Sequence, residues 1–462
     1  MGVRLYNTLS GKIEPIPKPK GKPLRMFVCG PTVYDHPHIG NARTAVIFDA
    51  FVKYLRSTGV KVFYLVNVTD IDDKIIAKAK AEKTTFSKIA DEYWDIYQKN
   101  MKALGVTAAT KFAKATKFIS QIQAQVKTLL KKGFAYEIER DGIYFDVSKF
   151  SDYGKLSRRT AEQAEDGVSR IDQSIKKRNK ADFALWKFSY DDEPGWPSEW
   201  GLGRPGWHIE DTAITEYFFG PQYDIHGGGL DLKFPHHEAE LAQQEAASGK
   251  KPFVKIWMHT GMLTLEGQKM SKSAGNFMTI DQLLKNTPPN VFRLLILSHH
   301  YRSPLNYSVK LNQEMSRKWF SIMEFLAKLD MAEKNSKEKK LGTPEFDKFS
   351  KAIDLALSND FNTPEAFGVL FSFINLIQPK IWSLSKAEAK ESTRAVVKFM
   401  KSFGFSIGFP KIPSKVKVLA REREKLRQSQ QFIQSDSLRK KANDLGFVVE
   451  DTPLGFFIWP KG

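Results

Sequence analysis

Residues 26–44 read MFVCGPTVYDHPHIGNART and hold Cys29, the single cysteine among 462 residues, with His36 and His38 close behind it. A thiol at the end of an apolar run is either a packed core residue or a soft ligand placed for chemistry. The histidines favour chemistry. Of nine, seven fall in five short turn-like segments: His36 with His38, His208, His226, His236 with His237, and His259. Histidines scattered through a core would not keep such Gly- and Pro-rich company, so a common site is expected. His236 and Glu240 follow Pro235, a residue suited to the first turn of a helix. Four apart, they share one helical face, a spacing that serves two ligands of one metal ion or, equally, a buried His–Glu hydrogen bond.

Two further stretches suit phosphate. His38-Ile39-Gly40-Asn41 opens a helical pattern, where free backbone N–H groups and the positive end of the helix dipole attract anions. Gly40 permits close backbone approach, and His38 can donate to a phosphate oxygen. GQKMSKSAGN (267–276) sets Lys269 and Lys272 in a Gly-flanked loop, which is either a solvated basic loop or compensating charge for a polyphosphate. In HGGGLDL (226–232) the glycines let a ligand lie against backbone, and Asp231 is placed to take ribose hydroxyls.

The elements that must position these groups are legible. RMFVC (25–29) is a short buried strand ending at Gly30-Pro31. Ala45, Phe48, Phe51, Val52 and Leu55 recur at helical spacing up to Gly59, and KVFYLVNVTDID (61–72) is a second strand. Strand, helix, strand begins a parallel α/β sheet, whose ligands sit at the carboxyl ends of strands, where Cys29 and Thr69-Asp70 fall. Helical pattern dominates 74–133, and 135–148 alternates about Asp141-Gly142 as a hairpin. The polar, Trp-, Gly- and Pro-rich region 150–206 is expected to be an insertion, after which EYFFG and YDIHGGGLDL resume the sheet as strands. From about 307 amphipathic helices take over. REREKLRQSQQFIQSDSLRKKANDLG then reads as one very basic helix, followed by a strand, FVVED, and the tail TPLGFFIWP.

Length implies two to four domains, and 42% hydrophobic residues supply their cores. One cysteine excludes an internal disulfide framework and suits a reducing compartment. No apolar stretch is long enough to span a bilayer, and residues 1–16 lack the apolar run of a signal peptide, so a cytoplasmic protein is expected. Lys and Arg number 71 against 52 Asp and Glu, a net charge of +19, which points to a polyanionic partner or to a lysine-rich surface.

Taken together, VCGPTVYDHPHIGNART, NVTDIDDKI, RPGWHIE, GGGLDLKFPHHE, KMSKS and DFNTPEA resemble blocks of the cysteinyl-tRNA synthetases, a family of class I aminoacyl-tRNA synthetases. HIGN resembles the class signature HIGH, with Asn41 keeping a hydrogen-bond donor in place of histidine. The resemblance implies an α/β fold: a Rossmann-type parallel-sheet catalytic domain split by an insertion, followed by an α-helical bundle and a small C-terminal anticodon-binding domain. The implied segments are the catalytic halves 1–120 and 206–255, a connective insertion 121–205, a stem-contact region 256–306 with the KMSKS loop, a helical bundle 307–405, and an anticodon-binding domain 406–462.

It also implies a reaction. The carboxylate of L-cysteine attacks the α-phosphate of ATP, giving cysteinyl-adenylate and pyrophosphate, and the acyl group passes to the 3′ adenosine of tRNA-Cys. Positioning and stabilisation of charge at phosphorus would carry most of the gain. By this resemblance His38, Asn41, Lys269 and Lys272 are the catalytic set. Gly40, Gly229, Asp231 and Lys272 hold ATP with its Mg2+, and Gly30, Thr32 and Trp207 line the amino-acid subsite. The resemblance also suggests a monomer. The family's C-terminal domain reads an anticodon, which makes Asp451 and Trp459 candidate base contacts, beside the plainer readings of a surface acid and a core tryptophan. The basic segment Arg421–Lys441 either tracks RNA backbone or forms a solvated face.

In the family a zinc ion binds the substrate thiol directly through two cysteines, a histidine and a glutamate, rejecting serine by the softness of the thiolate–zinc bond. Cys29, His236 and Glu240 match three of these ligands, and Asp211 stands where the second cysteine belongs. Two outcomes are open. Either zinc persists on Cys29, Asp211, His236 and Glu240, with oxygen replacing sulfur, or it is lost and Cys29 is packed under the sheet. Two rivals to the main reading are a ligase coupling activated cysteine to a small amine, which would not need the C-terminal third, and a non-catalytic RNA-binding relative.

Overall fold

A computed structural model describes residues 2–17, 21–159, 174–190, 192–270, 275–336 and 345–461. Its centre is a five-stranded, all-parallel sheet in the order Val254–Thr260, Tyr223–Gly229, Leu24–Val28, Val62–Val68, Lys111–Lys114. Leu24–Val28 and Val62–Val68 are apolar on both faces because helices cover both, the usual condition of a parallel sheet. The helix Ile39–Ser57 lies between them in sequence and buries Phe48, Phe51, Val52 and Leu55 completely. Gly59, at φ 89°, makes the left-handed turn that ends it.

The region between the sheet's halves has a fold of its own. An antiparallel sheet runs Ala135–Ile138, Gly142–Phe145, Phe183–Phe188, Gly201–Pro205, Trp196–Ser198. The hairpin turns a residue or two earlier than expected: Gly142 already pairs with Ile138, and Arg140 takes the left-handed conformation. A second expectation is overturned. EYFFG is not a strand but the end of the helix Ile209–Phe219, closed by Gly220. Most of this helix is buried, so its aromatic end meets apolar surface without needing a strand's pleat.

Beyond Tyr307 the chain is helical, with Val309–Asn335, Glu345–Ser358, Thr363–Ile377 and Lys386–Ser402 sharing one continuous apolar core with the Ile39–Ser57 face of the sheet. The basic C-terminal segment forms two helices rather than one, Ser414–Gln428 and Phe432–Asp444, which pack on each other and on the hairpin Phe447–Thr452 with Gly455–Pro460. Gln430, at φ 59°, makes the break without glycine or proline. No described helix is long and apolar enough to cross a membrane.

A buried charge network ties the helix Ile39–Ser57 to the helices of the chain's second half. The Asp49 carboxylate, fully buried, accepts the amides of Thr107 (2.8 Å) and Ala108 (2.9 Å), the Lys53 ammonium (2.8 Å) and the Arg293 guanidinium. Arg293 in turn donates to the carbonyls of Leu104 and Phe403.

Candidate active site and metal centre

The carboxyl ends of the central strands open on a cavity of about 560 Å3. Its walls include Cys29, Gly30, Thr32, His38, Gly40, Asn41, Trp207, Asp211, Gly229, Asp231 and His236, which are most of the residues that the sequence singles out. Glu240 lies just beneath the floor, fully buried. Lys269 is in the short strand Gln268–Lys269 at the cavity's edge, beside Met270, which lines it. Lys272 lies outside the described residues.

At the mouth, His38 caps the helix Ile39–Ser57. Its Nδ1 accepts the Gly40 amide (3.0 Å), and its own backbone N–H donates to Asn41 Oδ1 (3.1 Å). Asn41 therefore completes a capping box, a structural task added to its amide's donor capacity. With Nδ1 accepting, the neutral ring carries its proton on Nε2. Burial holds His38 below the usual histidine range, partly opposed by the Asp231 carboxylate. The C-terminal flank of the KMSKS loop docks here: Ile39 N–H donates to Met278 O, Ile280 N–H donates to Pro37 O, and Phe277 meets the His38 ring edge-on at 5.3 Å.

At the floor, Gly30 donates to Asn67 Oδ1 (2.5 Å), and a Cβ on Gly30 would lie 1.8 Å from the Asn67 carbonyl oxygen. Gly30→Ala must therefore push two central strand ends apart, and a displacement of that size at a reacting centre costs about a hundredfold in rate. Steady-state turnover measures this, and wild-type activity in the variant would show the strand ends to be free to shift.

Around Cys29 the donors converge. Its Sγ is 3.5 Å from Asp211 Oδ2 and 3.8 Å from Glu240 Oε1, while His236 Nε2 is 3.0 Å from both carboxylates. These four residues offer ligand atoms all within 4.8 Å of one another. Trp207 stacks on His236 (4.4 Å, 25°), whose other nitrogen lies 2.7 Å from His208 Nδ1. Burial, reinforced by Glu240 and then Asp211, pushes the Cys29 thiol well above its ordinary range; burial and then Asp211 likewise push up the Glu240 carboxyl. Asp211 Oδ1 and Glu240 Oε2 are buried with no hydrogen-bond partner among the described residues. Three acidic groups with orphaned carboxylate oxygens, buried together, call for a compensating cation, and the donor types suit a borderline-soft divalent ion. The residues fit zinc.

These directions set the sign of a pH dependence. Below its raised pKa the thiol carries a proton that metal binding must displace, so affinity increases with pH. At least one proton is released, and the apparent Kd is expected to fall about tenfold per unit between pH 6 and 8 in chelator competition. A flat profile would mean that the thiol does not ligate.

His226, His237 and His259 join the histidine cluster beneath the cavity, and His36, 3.4 Å from Asp281, lines the cavity with His38. Glu210 was missed. It is fully buried, accepts from Thr69 Oγ1 and Asn67 Nδ2, and is pushed well above the carboxylate range by burial and by Asp211 beside it. Two adjacent acids opening an otherwise apolar helix were the available signal. The C-terminal candidates have structural occupations: Asp451 takes a bidentate pair from the buried Arg423 (2.5 and 2.7 Å), and Trp459 is buried against Phe457 and Phe320.

Solved structures share this architecture. A Mycobacterium tuberculosis methionyl-tRNA synthetase in complex with methionyl-adenylate aligns over 83% of this chain and 89% of its own at 16% identity and TM-score 0.60. An Agrobacterium radiobacter LeuRS in a ternary complex with tRNA aligns over 84% and 85% at 11% identity and TM-score 0.62. The fold is that of the class I tRNA synthetases. Residues 16–317 match the class I (C) tRNA synthetase catalytic domain, and 352–409 match the DALR domain. The chain is 42% identical over 452 residues to the cysteine–tRNA ligase of Thermoplasma acidophilum (97% of this chain, 98% of that protein). It is 40% identical over 482 residues to that of Thermococcus gammatolerans (100% and 99%). It belongs to the cysteine–tRNA ligase family.

Proposed function

We propose that the chain activates L-cysteine with ATP to cysteinyl-adenylate, releasing pyrophosphate, and transfers cysteine to the 3′ adenosine of tRNA-Cys. The observation that carries this is one cavity with two chemically distinct ends: a helix N-terminus bearing His38, Gly40 and Asn41, and a floor of buried metal-type donors around Cys29. In this reading His38 Nε2–H and the first amides of the Ile39–Ser57 helix take the ATP phosphates, with Mg2+ on the nucleotide. Asp231 takes ribose hydroxyls, and Gly229 lets the nucleotide lie on backbone. Lys269 and Lys272 engage charge as it develops. Gly30, Thr32 and Trp207 enclose the amino acid. Cys29, Asp211, His236 and Glu240 hold zinc, which when bound supplies a soft Lewis acid for the substrate thiolate and little affinity for serine's hydroxyl. The stem-contact region 256–306, the helical bundle 307–405 and the anticodon-binding domain 406–462 carry the tRNA. The excess of cations suits that partner. The chain acts in the cytoplasm.

Two assays on purified protein test this: ATP–pyrophosphate exchange with cysteine or serine, and charging of a tRNA-Cys transcript. The expected result is exchange with cysteine alone, and charging. No exchange would leave only RNA binding; exchange without charging would indicate a different acceptor.

A further inference from the structure

The cluster beneath the cavity contains a second set of donors. Cys29 Sγ is 3.1 Å from His237 Nε2 and 3.4 Å from His226 Nε2, both shorter than its distances to Asp211 and Glu240. Cys29, His226, His237 and Glu240 again offer four ligand atoms all within 4.8 Å of one another. Each imidazole is oriented from behind. His226 Nδ1 is 2.6 Å from Tyr223 OH, and His237 Nδ1 is 2.8 Å from His259 Nε2, whose Nδ1 lies 2.8 Å from Thr8 Oγ1. A partner on Nδ1 leaves Nε2 as the ligand atom, which is how metal-bound histidines are held. Glu240 faces both sets. Its Oε1 is 3.0 Å from His236 Nε2 and 3.8 Å from Cys29 Sγ, and its Oε2 is 3.6 Å from His226 Nδ1, the nitrogen that also meets Tyr223 OH.

The two sets differ in charge and exposure. Cys29, Asp211, His236 and Glu240 carry three negative charges when ionised, which leaves a divalent ion's site at −1. Cys29, His226, His237 and Glu240 carry two, which a divalent ion neutralises. Asp211 remains buried 3.5 Å from the thiol whichever set holds the ion, so the inner set lowers the charge of the ion's own ligand shell and leaves the cluster's total unchanged. It also offers two nitrogens and a sulfur, softer company than one nitrogen, a sulfur and two oxygens. Asp211 and His236 line the cavity; His226 and His237 do not, and both are buried.

We propose that, without cysteine, the divalent ion rests in this closed position on Cys29, His226, His237 and Glu240, and that Asp211 and His236 are ligands of the cysteine-bound state. The proposal rests on the reading of this cluster as a metal centre and deepens it: the aspartate at position 211 weakens the outer set, and the inner histidines hold the ion until a substrate thiolate arrives.

The test is X-ray absorption and visible spectroscopy on the full chain loaded with Co2+ or Zn2+, with metal content of variants checked for folding by circular dichroism. Without cysteine, the wild type is expected to show one sulfur and two imidazoles. His226→Ala and His237→Ala are expected to weaken binding about a hundredfold or more, and Asp211→Asn and His236→Ala by less than about tenfold. On adding cysteine, the wild type gains a second sulfur–cobalt charge-transfer band, and Asp211→Asn does not. One imidazole in the wild type, or the reverse ranking of variants, overturns the closed position while leaving the metal reading intact. A wild type that binds neither ion overturns both. The wild-type spectrum decides the matter even where a variant fails to fold.

Discussion

Cys29→Ser is expected to abolish binding of the proposed metal ion and to lower cysteine-dependent ATP–pyrophosphate exchange by about three orders of magnitude, the several kcal/mol that a Lewis acid contributes. Cys29 belongs to both donor sets, so no rearrangement between them rescues the variant. Serine is nearly isosteric, and Cys29 sits at a strand end with its amide held by the Gly227 carbonyl (3.1 Å), so the fold should persist and the loss should be chemical. Selectivity should fall with rate. Without the soft ligand, cysteine and serine differ by one atom in a shaped pocket, a discrimination of about a hundredfold at best. Metal content and exchange with both amino acids, measured on one preparation, check this. A variant that keeps cysteine selectivity without metal would show that shape and hydrogen bonding, with Trp207 foremost, read the thiol.

The second large effect is on stability. Asp49→Ala removes the only acidic partner of Arg293 among the described ion pairs while Arg293 remains 1% exposed. It also orphans the amides of Thr107 and Ala108. Breaking one side of a buried pair costs about 3–5 kcal/mol, because the remaining charge has no water. A melting temperature lower by about 3–5 °C, with poor recovery of soluble protein, is the expected outcome. Asp49→Asn keeps acceptors for the two amides and should fall between the two. A melting curve unchanged in Asp49→Ala would mean that water reaches Arg293 in the folded chain.

Much of this was legible because local chemistry and global position agreed. The strand before Cys29, the helix opened by HIGN and the i,i+4 pair His236–Glu240 each arise from short-range pattern, and the structure sets them as read. What escaped was decided by contacts distant in sequence. The Ile209–Phe219 helix is buried so widely that it shows no amphipathic stripe, and its YFF end imitates a strand. The basic C-terminal helix breaks at Gln430, a residue with no intrinsic reason to turn. Asp451 looks like a free surface acid until Arg423, 28 residues away, is brought beside it. The meeting of His226 and His237 at Cys29 depends on the strand Tyr223–Gly229 pairing with Leu24–Val28 and on the helix His236–Ser248 packing beside them, which spacing along the chain does not encode.

The strand order has a consequence for the chain during its synthesis. Leu24–Val28 is flanked by Val62–Val68 on one side and Tyr223–Gly229 on the other. Roughly 200 residues therefore leave the ribosome between the making of this strand and the making of its second neighbour, an interval of roughly 10–40 s. Throughout it, the nascent polypeptide carries an apolar strand with one open edge, the template on which chains pair with each other. The insertion, whose own antiparallel sheet closes locally, can fold meanwhile; the catalytic centre cannot. Ribosomes stalled before Tyr223 would release fragments that are sticky rather than merely inactive.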